Sequence, residues 1–328
     1  MDYDVVVIGG GAAGLSGAVA LARSLRSVLV VDAGEPRNAP AAGVHNYLGR
    51  EGVPPAELFA AGRAEAEAYG VEFVRDRVRS LAPGFRVELS DRTVTARKLL
   101  VTTGLTDELP EVPGLAERWG EDVLHCPYCH GYEVRGRAIG VLSTGNGMHQ
   151  ALLFAQLSDD VTLFLHTGDE PTAEEWEQLA ARGIAVVDGE VTGLRVEADR
   201  LTGVRLASGR VVDRDVLVVA PRFTANDGVL AGLGLAAEPV EMMGRVMGSH
   251  VPANPTGATA VAGVYVAGNL ADVSAQVVVS AAAGMRAGAM INAELVMEET
   301  RAAVERRRVF SAASEREVQA LVAGTRDL

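Results

Sequence analysis

The chain of 328 residues has only two cysteines, Cys126 and Cys129, spaced by two residues. A C-x-x-C pair can close into a small disulfide ring, and its thiolate is the nucleophile of thiol–disulfide exchange. His125 and His130 flank the pair. Imidazole titrates near neutral pH, which makes His130 the candidate general acid/base; Tyr132 and Glu133 follow it in the same loop. Spacing alone leaves three readings open. Redox chemistry comes first. A zinc site would need two further soft ligands, and the two histidines sit too close in sequence to complete a tetrahedron. A structural disulfide comes last, because secreted frameworks use more cysteines spread along the chain.

A second signature stands at the N-terminus. Gly9-x-Gly11-x-x-Gly14 follows the β-branched run Tyr3 to Ile8, opens an apolar helix over Leu15 to Leu25, and leads to a strand over Ser27 to Val31 closing on Asp32. Gly9 permits a tight turn, Gly11 admits a pyrophosphate to the backbone, and Gly14 lets the helix pack on the strand. Ala12 and Ala13 lie in the same turn, at the positive end of the helix dipole. Asp32 is placed for a ribose 2′-OH. Ala33, Arg37, Asn38 and His45 complete the candidate cofactor residues on this side, and His45, Asn46 and Tyr47 are candidates for a substrate-facing loop. The competing reading is a glycine-rich turn in an unrelated α/β protein, which would not require the strand, the helix and the acid together.

Two distant segments favour FAD over NAD. Thr103-Gly104 ends a strand before a domain crossing, and Gly263 to Asn269 ends another before a helix. Two-domain flavoproteins lay such a segment over the ribityl chain, and the helix dipole below stabilises a reduced flavin. Gly268, Asn269, Gln276 and Val277 therefore join the candidate cofactor set.

These chemical groups need elements to hold them. The pattern predicts an α/β fold of two Rossmann-like (three-layer ββα) nucleotide-binding domains, the second nested in the first. The expected boundaries are 1–112 for the first part of the FAD-binding domain, 113–240 for an NADPH-type domain carrying the cysteines, and 241–328 for the returning FAD-binding part and tail. A helix is expected over Leu58 to Tyr69, with short strands from Val71 to Val101. The second unit reads as a strand over Ala138 to Leu142, a turn over Ser143 to Gly147, a helix over Met148 to Leu157, and strands at Val161 to Leu165 and Val216 to Val219. A long helix is expected from Ser274 to Glu298, then a charged tail.

The net charge of −13 argues against nucleic acid or an anionic membrane as partner, since both need a basic face. Val277 to Ile291 is the most apolar stretch, and Arg286 interrupts it. The acidic opening Met1 to Asp4 does not read as a signal peptide, so a cytoplasmic protein is expected.

Cys-Pro-Tyr-Cys also occurs in glutaredoxins, but there it lies near the start of a small domain rather than between two nucleotide-binding units. The whole chain instead resembles the low-molecular-weight thioredoxin reductases. That resemblance implies that Cys129 faces the flavin and Cys126 exchanges with substrate, in a homodimer whose domains rotate between half-reactions. Departures from the reductase pattern point further. A second G-x-G-x-x-A would fall on Leu142, Thr144 and Gly147. The His-Arg-Arg that holds a 2′-phosphate reads His166-Thr167-Gly168-Asp169, so a carboxylate stands near where two guanidiniums would be. His130 replaces the usual acid after the second cysteine, and Asn269 replaces the usual aspartate at the flavin. Cys-x-x-Cys-His-Gly-Tyr-Glu resembles the FAD-dependent dithiol oxidases of gliotoxin, holomycin and romidepsin type. This branch implies a small-molecule dithiol as substrate and O2 as acceptor, without NADPH. The alternatives are a thioredoxin reductase-like enzyme using NADPH or another donor on a thioredoxin-like protein, and a flavin-binding redox sensor.

Overall fold

Both faces of the strand Tyr3–Ile8 are apolar, and Val5, Val6 and Val7 are fully buried. Each such burial contributes about 1.5–3 kcal/mol, which favours a central position in a parallel sheet. The strand pairs in parallel with Val28–Asp32 on one side and Thr93–Val101 on the other. Glu72–Arg75 extends the sheet outward, and Ser80–Ala82 and Arg86–Glu88 add an antiparallel end. Val264–Val266, from the last fifth of the chain, pairs in parallel with Thr93–Val101. The chain thus leaves this sheet and returns to it, as a nested α/β arrangement requires. The computed structural model describes residues 2–144, 147–242, 244–308 and 312–324.

The inserted unit has its own parallel sheet, in the order Ala185–Val187, Val161–Phe164, Ile139–Leu142, Val216–Val218, Val123–Leu124. Its last strand corrects the sequence reading, which set the cysteines ahead of the unit's first strand. Val123–Leu124 precedes them and aims the chain into the cysteine turn. Two residues are too few to show a period. An antiparallel sheet of Val191–Glu197, Arg200–Leu206 and Val211–Val212 covers this unit. Arg118 anchors it by donating to both oxygens of Asp122 at 3.0 and 2.8 Å and to Asp199 at 2.6 Å.

The two crossings between units pair with each other. Leu105–Glu108, going out, is antiparallel to Arg222–Ala225, coming back, with Asp107 opposite Phe223. Arg245–His250 and Glu238–Met242 complete this four-stranded connector.

The helix predicted from Leu15 begins earlier, at Ala12, and runs to Ala22. Its first turn is built of alanine and glycine, so the apolar period starts late. The long helix is Val277–Arg308, ten residues past the expected end. Ion pairs that periodicity does not show tie its middle to the first unit. Lys98 meets Glu294 at 2.9 Å and Glu298 at 2.5 Å, and Glu299 meets Arg26 at 2.5 Å and Arg97 at 2.6 Å. A Cβ at Gly284 would overlap the Ala13 carbonyl, so only glycine lets this helix press on the first turn of Ala12–Ala22. Among the described residues no helix is long and apolar enough to cross a membrane.

Hydrogen bonds from Arg26 and Arg97 hold the Glu299 carboxyl down at about 2. A lowered carboxylate stabilises the fold above its unfolded value and loses that contribution as pH falls through the folded one. Thermal melts of wild type and Glu299→Gln should therefore differ at pH 6, and the gap should close between about pH 4.5 and pH 2.

Candidate active site

The first turn is built to receive a phosphate. Gly9 takes φ +104°, which a side chain would strain, and donates its N–H to the Val31 carbonyl at 2.8 Å. Thr102 Oγ1 donates to the carbonyls of Ile8 and Gly9 at 3.0 and 2.8 Å. A Cβ at Gly14 would collide with the Gly9 carbonyl and stand 2.8 Å from Thr102 Oγ1. A Cβ at Gly11, by contrast, meets nothing within 4 Å. Gly11 is the N-cap and provides no side-chain cap, so the first-turn N–H groups, those of Ala12 and Ala13 among them, have no partner within the helix. An open cradle at the N-terminus of an 11-residue helix suits the pyrophosphate of FAD. Asp32 accepts from the N–H groups of Gly10 at 2.8 Å and Gly34 at 3.1 Å, and Ala33 follows it, half-buried. The carboxylate thereby shapes the turn and keeps lone pairs for a ribose hydroxyl.

Arg37 lies at the connector. Its guanidinium forms a two-pronged pair with Asp107 at 2.7 and 2.6 Å, donates to Asn269 Oδ1 at 3.2 Å and stands 5.5 Å from the Phe223 ring centre. Asn38 is half-buried in the following turn, its carbonyl accepting from Ala41. Asn269, after the buried Gly268, donates to the carbonyls of Asp272 at 3.1 Å and Ala275 at 2.9 Å. That turn leads through half-buried Gln276 to Val277, the first residue of the long helix. Thr103 and Gly104 meet the returning chain at Asn226. Thr103 Oγ1 donates to the Asn226 carbonyl at 2.8 Å, Asn226 Nδ2 to the Thr103 carbonyl at 3.1 Å, and the Asn226 N–H to the Gly104 carbonyl at 3.0 Å.

Cys126 and Cys129 form a disulfide with Cα atoms 5.2 Å apart. Cys126 is the extended N-cap of the short helix Pro127–His130, and its carbonyl accepts from Cys129 and His130. Gly131 must be glycine, since a Cβ there would overlap the Pro127 carbonyl. Burial holds the His130 imidazole below its usual value; Glu133 pulls it up and His45 pushes it down. His130 is thus biased toward the neutral, proton-accepting form. His125 also titrates low, through burial first, and its Nδ1 lies 3.1 Å from the Val219 carbonyl and 3.0 Å from Gln150 Nε2. It packs edge-on against Phe223, so its place is structural.

His45 and Asn46 come from the first unit but reach the cysteine turn. Asn46 Nδ2 donates to the Tyr128 carbonyl at 2.8 Å, and the His45 ring lies between Glu51 and Glu133. The structure therefore brings Cys126, Cys129, His130, His45 and Asn46 together. It gathers the Gly9 to Gly14 turn, Thr102 and Gly268 at a second point, where a Cβ on Gly268 would stand 3.0 Å from Ala13 Cβ.

The second turn starts one residue later than the sequence pattern predicts. Leu142 is the last, fully buried residue of its strand. The N–H of Ser143 donates to the Phe164 carbonyl at 2.9 Å, as that of Gly9 does to Val31. Ser143, not Leu142, is the counterpart of Gly9, and the turn residues 145 and 146 lie outside the described set. The buried Ser143 side chain occupies space that Gly147 and Gly168 leave free, a Cβ at Gly147 standing 2.8 Å from Ser143 Oγ. A cleft of about 540 Å³ opens here, lined in part by Thr144, His166, Glu108, Glu111, Glu190 and Arg222. Arg222 stands 4.0 Å from Glu108, and Asp169 is paired with Arg245.

Sequence reasoning missed Thr102, Asp107 and Asn226. Thr102 adjoins the chosen Thr103-Gly104 and could have been found from it; Asp107 and Asn226 carry no local signal. Gly14→Ala should abolish flavin retention, read as loss of visible absorbance after gel filtration, and cost about 1–3 kcal/mol of stability from overpacking.

Residues 3–285 match the family model described as pyridine nucleotide-disulphide oxidoreductase. Thioredoxin reductase tcpT of Claviceps purpurea (strain 20.1) is 32% identical over 323 residues, covering 90% of this chain and 95% of the relative. The crystal structure of HlmI superposes with a TM-score of 0.86 at 43% identity, covering 94% of this chain and 97% of that one. An oxidoreductase from Agrobacterium tumefaciens gives 0.84 at 35% identity, covering 90% and 99%. The chain belongs to the pyridine nucleotide-disulphide oxidoreductase family and is a thioredoxin reductase-like, FAD-dependent flavoenzyme.

Proposed function

We propose that this enzyme is a dithiol oxidase, closing a disulfide in a small-molecule dithiol with O2 as the final acceptor. The observation that carries the reading is the second cleft. Its turn holds a serine side chain where Gly9 stands in the first, and its walls carry Glu108, Glu111 and Glu190. Carboxylates repel a 2′-phosphate, and Arg222, the arginine lining it, stands beside Glu108. An electron donor other than NADPH is then needed, and an accessible disulfide next to a biased imidazole provides an entry for thiols.

A substrate thiolate attacks Cys126 after His130 takes the thiol proton, and Cys129 leaves as thiolate. The second substrate thiol, deprotonated in turn, attacks the mixed disulfide, so the product S–S bond forms and Cys126 is released. Two electrons have then moved from substrate to the cysteine pair. FAD, when bound, would supply the two-electron acceptor for the reduced cysteine pair, with O2 as the terminal oxidant that becomes H2O2. The first turn, from Gly9 to Gly14, with Thr103, Gly104, Gly268, Asn269, Gln276 and Val277, would hold that group.

One specific observation favours the opposite direction: the Claviceps relative is named a thioredoxin reductase. Two measurements separate the readings. In air, a panel of small dithiols should drive oxygen uptake with one peroxide formed per O2 consumed, and no uptake with any of them would leave the reductase reading in place. His130→Asn should slow that turnover by about 10²-fold, the usual contribution of a general base. Cys129→Ser should keep FAD yet stop its reduction by substrate, whereas persistent turnover would contradict the assignment of the flavin-facing thiol.

A further inference from the structure

His45, a candidate for both the cofactor and a substrate-facing loop, sits in the loop between Val28–Asp32 and the helix Pro55–Ala68. Its ring spans two carboxylates of different units. Nδ1 is 2.6 Å from Glu51 Oε1, and Nε2 is 3.6 Å from Glu133 Oε1. The loop is fixed around it, because Glu51 Oε2 accepts from the Asn46 N–H at 2.9 Å and Asn46 Nδ2 holds the Tyr128 carbonyl at 2.8 Å. Val44 and Val53 close its base with a short antiparallel bridge. Glu133 belongs to the cysteine turn, three residues after His130.

We propose that His45 is a positioning residue for His130: by bridging Glu51 to Glu133 it keeps the Glu133 carboxylate directed at the base, so the base is fully competent only while this loop is docked on the cysteine turn. The inference rests on the dithiol reading above. When His130 takes a thiol proton it becomes a cation in a half-buried site, and a fixed carboxylate is what stabilises that cation. In this step the substrate S–H bond breaks and its proton goes to His130. A bond forms between the substrate sulfur and Cys126, and the electron pair of the Cys126–Cys129 bond leaves on Cys129.

The charged groups around His130 are Glu133 and His45, and those around His45 are Glu51 and Glu133. Their signs make the idea testable. If His45 acts only as a nearby positive charge, removing it relieves repulsion and His130 titrates higher. If His45 holds Glu133 in place, removing it frees the carboxylate and His130 titrates lower.

The test uses the full-length holoenzyme as wild type, His45→Phe and Glu51→Gln; the Glu51 side chain is 66% exposed, so its substitution spares the core. Each is mixed anaerobically with dithiothreitol, and flavin bleaching is followed against pH. The His130 imidazole is titrated separately by NMR. Both variants should bleach on the order of tenfold more slowly at pH 7, a modest part of what a general base supplies. Their acidic limb and the His130 titration should both move to lower pH, and adding Glu133→Gln to His45→Phe should change little more. Unchanged rates, or a limb moving to higher pH, would overturn the inference. Absence of bleaching in the wild type would sink the dithiol reading instead, and the NMR titration would still decide the role of His45.

Discussion

The pairing of Arg37 with Asp107 is the contact on which the rest of the site hangs. Arg37 belongs to the first unit, while Asp107 lies on the outgoing crossing strand with its side chain only 9% exposed. Opposite Asp107 in register is Phe223 on the returning strand, against which both Arg37 and His125 pack. The same guanidinium reaches Asn269, at the turn feeding the long helix. Removing one partner of such a pair leaves a poorly solvated charge, at a cost of about 3–5 kcal/mol where burial is full. The ion pair, the paired crossings and the Asn226 knot together hold the cysteine turn against the 44–53 loop. The titratable groups near the disulfide, His45, His130 and Glu133, come from both units, so they exist as a set only in this docked arrangement.

The two units share a backbone plan and differ in chemistry. Each runs a parallel strand into a turn whose first N–H bonds the neighbouring strand, and each then starts a helix. Gly9 has no side chain and Thr102 closes on it, while the space beside Gly11 is empty and the following N–H groups are open. At Ser143 a side chain is present, and the cleft beyond is lined with carboxylates. The same fold thus gives a phosphate cradle in one unit and a poor one in the other. On the proposed reading electron entry falls to the disulfide, and burial biases His130 toward the neutral form that such a role needs.

Much of this was legible beforehand because it rests on residue types that act locally. The Gly9 to Gly14 turn, the disulfide spacing and the nested order of strands all follow from short patterns. The misreadings also have physical reasons. Val123–Leu124 is too short to show alternation. The helix from Ala12 starts in residues with no apolar period, and the charged last turns of Val277–Arg308 have none either. Placing Leu142 at the head of the second turn was a register error, and only the hydrogen bond from Ser143 reveals it. Arg37 and His45 were picked out for the cofactor, and the structure shows each also holding the units together, a pairing no local pattern encodes.

The central claim is that electrons enter through the cysteine pair from a thiol rather than from a nicotinamide. Its most direct test is rapid anaerobic mixing of the oxidised holoenzyme with NADPH in one syringe series and with a small dithiol in another, following the flavin band. The account predicts that the dithiol bleaches the flavin while NADPH leaves it oxidised over the same interval. Fast bleaching by NADPH would contradict it.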